Sequence, residues 1–163
     1  MEIVKFPNPS LFEVCETVNV FGPELKVLLD SMWETMNQHN GVGLAANQVG
    51  LNLRMFIMLG PIGEKIYVVN PLIISKSEHS ANLREGCLSA PGEFLTLPER
   101  ASWVKVQYHN EKGELKESVF KDIYAVCFQH ELDHLNGKSH LQSKSISKSV
   151  RKAVAKRWGL KVK

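Results

Sequence analysis

No stretch of this 163-residue chain stays apolar for the roughly 20 residues a membrane-spanning helix needs. The longest apolar segment, Val49–Leu59, is broken by Gly50, Asn52 and Arg54. Cysteine is scarce and odd in number. Cys15, Cys87 and Cys127 cannot form a disulfide framework, so a reducing compartment is expected, with the thiols free, structural or metal-bound. Repeats and low-complexity linkers are missing. Met1–Pro7 has no basic stretch ahead of an apolar core, and Glu2, Glu13 and Glu16 come early for a transit peptide, so a cytoplasmic location is expected. Acid is absent from residues 134–163, which carry nine basic groups, while residues 1–133 carry 11 basic against 17 acidic groups. Such asymmetry suits either a polyanionic partner for one end or a solvated terminal helix.

What is present fits one globular domain over residues 1–163, with 44% apolar and 23% charged residues. Pro23 opens a helix in which Leu25, Leu28, Leu29, Met32, Trp33 and Met36 recur at helical spacing, and His39-Asn40-Gly41 stops it. The start of Gly41–Gln48 is too glycine-rich for regular structure. Arg54–Leu59 and Lys65–Asn70 read as strands around Gly60–Gly63, and Leu72–Lys76 as a further strand. Ser102–Asn110 and Leu115–Phe120 form a hairpin about Asn110-Glu111-Lys112-Gly113. A helix over 122–135 ends at Gly137, and Ser147–Trp158 is the last helix, with Val150, Val154 and Trp158 spaced by four. The class is α+β, mainly antiparallel sheets around a central helix with further helices towards both ends.

That central helix carries His130-Glu131-Leu132-Asp133-His134, an H-E-x-x-H pattern. Histidines four apart lie one turn apart on one helix face, so both rings can reach one metal ion. The glutamate between them is placed to exchange protons with an activated water. The histidines share an apolar stripe with Val126 and Cys127, and buried imidazoles need partners, so metal binding is favoured over a solvated helix. A third, thiolate ligand is available at Cys127, on the same face, or at Cys87, in a segment bounded by glycine and proline. Spacing does not choose between them. Three such ligands leave a fourth position open, as at catalytic sites. Cys15 reads as a small core hydrophobe.

Three segments together resemble the peptide deformylases: Gly41-Val42-Gly43-Leu44-Ala45-Ala46-Asn47-Gln48, Glu85-Gly86-Cys87-Leu88-Ser89, and Gln129-His130-Glu131-Leu132-Asp133-His134-Leu135-Asn136-Gly137. They match the family's G-φ-G-x-A-A-x-Q, E-G-C-φ-S and Q-H-E-x-D-H-φ-x-G patterns in order, and the likeness spans about residues 3–140. The resemblance implies a hydrolase that removes the formyl group from N-formylmethionine on new chains, releasing formate. It implies that Cys87, His130 and His134 hold the metal and that Glu131 is the general acid and base. Gln48 and the Leu88 N–H would donate to the developing oxyanion. Gly41, Val42, Gly43 and Gly86 would lie along the substrate, with Val42, Leu83, Ile123, Val126 and Cys127 lining a methionine slot and Arg100 near the peptide backbone. Unaided, those five slot residues read as ordinary core. The family points to Fe²⁺, while a Cys/His/His set also suits Zn²⁺, Co²⁺ and Ni²⁺. The chain departs from common members in the polar run Lys138–Lys144, at Ala90 and at Glu93-Phe94.

Two rivals have other consequences. An H-E-x-x-H metallopeptidase would take a downstream ligand, and His140 stands at the right spacing after Gly137. A metal-stabilised RNA-binding module would use the basic tail and show no turnover. For a deformylase the same tail, with Lys148, Arg151, Lys152, Lys156 and Arg157 free, is expected to meet ribosomal phosphate without the active site noticing. A monomer is expected.

Overall fold

Leu25, Leu29, Met32, Trp33 and Met36 recur at intervals of three and four, and these are the positions that the first helix buries. In the computed structural model, which describes residues 1–161, this helix, α1, spans Pro23–Gln38. Pro23 stands where its missing N–H costs nothing, and Glu24 complements the helix N-terminus. Seven strands follow the helix in two sheets. β1 (Gly43–Ala45), β2 (Met55–Leu59), β3 (Lys65–Lys76), β6 (Trp103–His109) and β7 (Leu115–Lys121) form one antiparallel sheet in that order. β4 (Arg84–Cys87) and β5 (Ala90–Thr96) form a separate hairpin.

α2 (Asp122–Leu135) follows β7 without a loop, and the reversal is taken up at Asp122, whose φ is 50°. A short aspartate tolerates that left-handed geometry better than most residues. The helix lies under the large sheet, and Phe128 meets Phe56 edge-on at 5.1 Å and stacks near Phe120 at 5.6 Å. Around them Ala45, Val68, Val104, Val106, Ala125 and Leu135 complete one apolar cluster, which includes Cys15 as expected of a small core hydrophobe. Gln129 is buried without orphaned groups: it accepts from the Ala101 N–H at 2.9 Å and donates to the Ala101 and Ala125 carbonyls. Gly137 ends the helix in left-handed geometry, where a Cβ would stand 2.4 Å from the Phe12 carbonyl oxygen.

Three local expectations change. Lys65–Asn70 and Leu72–Lys76 are a single strand, because a bulge at Asn70 (φ 51°) and Pro71 shifts the register against β6 without ending the pairing. Gly43–Ala45, expected to be irregular, pairs with β2, and Ala46–Val49 is a 3₁₀ turn. The last helix, α3, spans Lys148–Arg157, with the Ser147 hydroxyl as its cap. Of the basic helix expected over 147–163, positions 162 and 163 lie outside the described residues.

Candidate active site

On α2, the buried His130 and His134 bring their rings to 4.9 Å between centroids. The β4–β5 hairpin approaches the same spot from outside the helix and delivers Cys87, the last residue of β4. Cys87 Sγ lies 3.2 Å from His134 Nε2. Ligand atoms of Cys87, His130 and His134 all fall within 4.8 Å of one another, and all three residues are buried. Metal–sulfur and metal–nitrogen bonds of about 2.3 and 2.0 Å in tetrahedral geometry place such atoms about 3.5 Å apart, so this set fits one divalent ion.

The two imidazoles shift in opposite directions. Burial and repulsion by His130 push the His134 pKa well down. At His130 burial also opposes charge, but hydrogen bonds to Cys87 and Glu85, with the nearby Glu131, outweigh it and hold its pKa well up. Neighbouring groups fix the ligands in turn. His130 Nδ1 lies 3.3 Å from Glu85 Oε1, and Asn47 Nδ2 donates to the His134 carbonyl at 2.7 Å.

Glu131 is buried beside this centre, and its Oε2 has no hydrogen-bond partner. Desolvation raises its pKa to about 7, so its carboxyl can either hold or release a proton near neutrality. Gly43 makes room for it: a Cβ there would stand 2.5 Å from Glu131 Oε1 and 2.7 Å from Cys127 Sγ. Gln48, in the 3₁₀ turn after β1, uses both ends of its amide. Its Oε1 accepts from the Ala45 N–H at 2.9 Å, while its Nε2 donates to Ser89 Oγ at 3.1 Å and lies 3.4 Å from Cys87 Sγ.

A cleft of about 360 Å³ opens onto these groups, with Gly41, Val42, Gly43, Gln48, Gly86, Cys87, Leu88, His130 and Glu131 in its walls. The expected slot residues Leu83, Ile123, Val126 and Cys127 do not line it. Leu83 and Ile123 are substantially exposed, Val126 is buried, and Cys127 sits behind Gly43 with its thiol toward the Val42 carbonyl. Pro91, Gly92, Glu93 and Phe94 of β5 supply the outer wall instead. Nothing in their composition marked them for this; only the hairpin's approach does.

Arg100 requires a correction. It does not face this cleft; it is buried, gripping Glu85 through Nε at 2.7 Å and Nη2 at 2.8 Å, and Asp133 through Nη1 at 2.6 Å. A buried guanidinium must be paired, and these carboxylates occupy the nitrogens that were expected to meet peptide. Glu85 and Asp133, both within the motifs but without an expected role, are the partners sequence reasoning missed. Burial raises the Glu85 pKa, but hydrogen bonds from Arg100 and His130 prevail and hold it at about 2. His140, the rival third ligand, stays outside the ligand cluster. Its ring packs on His130 at 5.1 Å, and burial and His130 hold its pKa down at about 3.

The comparisons with known proteins point one way. The family model described as polypeptide deformylase matches residues 1–150. The chain is 43% identical over 140 residues to a peptide deformylase of Phenylobacterium zucineum, covering 83% of this chain and 82% of that one. It is 40% identical to the Campylobacter jejuni peptide deformylase, covering 99% and 95%. The crystal structure of a Legionella pneumophila peptide deformylase superposes with a TM-score of 0.88 at 34% identity, over 97% of this chain and 92% of that one.

Proposed function

Because the chain belongs to the peptide deformylase family, an enzyme family that removes the N-formyl group from nascent peptides, we propose how its own residues carry out that reaction. The observation that carries the reading is the convergence of Cys87, His130 and His134 with Glu131 and Gln48 on one cleft. Cys87, His130 and His134 hold a single metal ion, Fe²⁺ in the cell, with Zn²⁺, Ni²⁺ or Co²⁺ as substitutes. When bound, the ion supplies Lewis acidity toward the formyl oxygen and lowers the pKa of the attacking water.

The remaining work falls to the protein. Glu131 takes a proton from the water as its oxygen attacks the formyl carbon, then delivers that proton to the leaving nitrogen as the C–N bond breaks, giving formate and a free amine. Gln48 Nε2 and the Leu88 N–H donate to the formyl oxygen as negative charge builds there. Burial supports this use of Gln48, because its donor is already aimed at Cys87 and Ser89 in a water-poor site. Gly41, Val42, Gly43 and Gly86 lie along the substrate, where missing or small side chains let the peptide approach the backbone.

Residues 1–163 act as one catalytic domain in the arrangement common to the family, antiparallel sheets around the H-E-x-x-H helix. The enzyme works in the cytoplasm as a monomer, with the basic face of α3 meeting the ribosome. Among the described residues no helix is long and apolar enough to cross a membrane. Mass spectrometry of a formyl-Met peptide incubated with the Fe²⁺-loaded protein tests the reading. Loss of the formyl group with every peptide bond intact supports it. Internal cleavage would favour the metallopeptidase, and tight RNA binding without turnover would favour the binding module.

A further inference from the structure

The deformylase reading gives α3 no part in the cleft, yet one of its side chains reaches the cleft wall. Glu93 of β5 lines the cleft and is buried. Its Oε1 pairs with Nη1 of Arg157, the last residue of α3, from 64 residues away in sequence. The partners differ in exposure: the Arg157 side chain is 62% exposed and that of Glu93 9%. A carboxylate so placed leaves a net negative charge in the wall unless a cation covers it from outside, and Arg157 is that cation. Next to it Phe94 is half-exposed, with the Arg84 guanidinium of β4 5.6 Å from its ring centroid, so an aromatic face borders the Glu93–Arg157 pair.

We propose that the Glu93–Arg157 pair sets the charge of the cleft's outer wall and thereby which residues after formylmethionine the enzyme accepts. With the pair intact the wall discriminates little between acidic and basic peptides. Without Arg157, Glu93 attracts cationic side chains and repels anionic ones. Arg157 touches no substrate; it is a positioning residue that acts through Glu93. This inference rests on the deformylase reading of the cleft.

The test uses the full-length, metal-loaded enzyme and two amidated peptides, formyl-Met-Lys-Lys and formyl-Met-Glu-Glu. The readout is the ratio of their kcat/KM values at low salt. Arg157→Ala is expected to raise the Lys/Glu ratio by roughly three-fold, the scale of one partly screened charge pair, with the gain shrinking as salt rises. Arg157→Lys is expected to keep the parent ratio, and Glu93→Gln with Arg157 in place to lower it. A loss of helix docking alone would lower both peptides equally, so the ratio separates charge from structure. An unchanged ratio in both Arg157→Ala and Glu93→Gln, or a rise with Arg157→Ala that persists when Glu93 is also glutamine, overturns the proposal. Absence of turnover of either peptide by the parent would instead overturn the reading it rests on.

Discussion

Cys87 and Cys127 stand on equal terms in the sequence, since each can be drawn toward His130 and His134. Their separation in the structure comes from a long-range approach: the hairpin brings Cys87 Sγ to 3.2 Å from His134 Nε2, while the Cys127 thiol turns to the Val42 carbonyl. Spacing within one helix could offer only Cys127, and it says nothing about a strand from elsewhere. Cys87→Ser is therefore expected to lower metal occupancy or change its selectivity, because a hydroxyl replaces a soft thiolate. Cys127→Ser should keep metal content near that of the parent. Elemental analysis after dialysis checks both, and metal loss in Cys127→Ser alone would reverse the ligand choice. His130 and His134 were legible as a pair because a helix turn is local. Arg100 was not, since its placement depends on Glu85 and Asp133, carboxylates 15 and 33 residues away along the chain.

At the level of elements, β1 and α2 approach so closely that residue 43 can carry no side chain. Gly43→Ala puts a methyl 2.5 Å from Glu131 Oε1 and 2.7 Å from Cys127 Sγ, so the carboxylate must move. A displacement near 1 Å at a catalytic group costs on the order of 10²-fold in rate. We expect kcat to fall by about that factor with metal content unchanged, and near-parent kcat would show that Glu131 tolerates the shift. The β4 strand is tied to α2 through Glu85 and its buried partner Arg100, which stands between β5 and β6 and also holds Asp133. The folded pKa of Glu85, about 2, lies below its ordinary 4.5, so its stabilisation is complete above about pH 4.5 and is lost as the pH falls toward 2. Glu85→Gln should therefore flatten the acid side of the stability profile, and it should cost about 1–3 kcal/mol at neutral pH because Arg100 keeps only Asp133 as a charged partner. Urea melts from pH 7 down to pH 3 measure both effects, and an unchanged acid slope would remove Glu85 from the account. The helices and the β6–β7 hairpin were readable from periodicity and a turn signal. β4 and β5 were not, because the residues they bury, Glu85, Cys87, Ala90 and Glu93, make no apolar alternation in the sequence.

Over the whole molecule, the charge split suggested a solvated terminal helix or one that meets a polyanionic partner, and the packing gives α3 a second role. Val154 joins Phe6, Leu11, Ala90, Leu141 and the metal ligand Cys87 in one apolar cluster, with Trp158 and Leu95 against it. Val154 of α3 and Cys87 share this cluster, so the helix packs into the same apolar unit as the strand that presents the thiol, and its loss is expected to reach the site. Deleting residues 147–163 is expected to lower stability by about 3 kcal/mol, the scale of one buried valine with part of a tryptophan, and to weaken metal retention. Thermal melts and metal content after dialysis report on this, and parent-like values for both would return α3 to a purely external role. The same deletion should weaken ribosome association and flatten its salt dependence, since four basic side chains of the helix, Lys148, Arg151, Lys152 and Lys156, are removed; Arg157, expected to be free, is instead paired with Glu93. The central claim is narrower: the α2 carboxylate moves the proton at a centre held by Cys87, His130 and His134. Its most direct test is formate release from a formyl-Met peptide by parent and Glu131→Gln enzymes, loaded anaerobically with Fe²⁺ to equal metal content. The account predicts steady turnover by the parent and a loss of roughly 10²–10⁴-fold in the variant, whereas turnover by Glu131→Gln within a few-fold of the parent would contradict it.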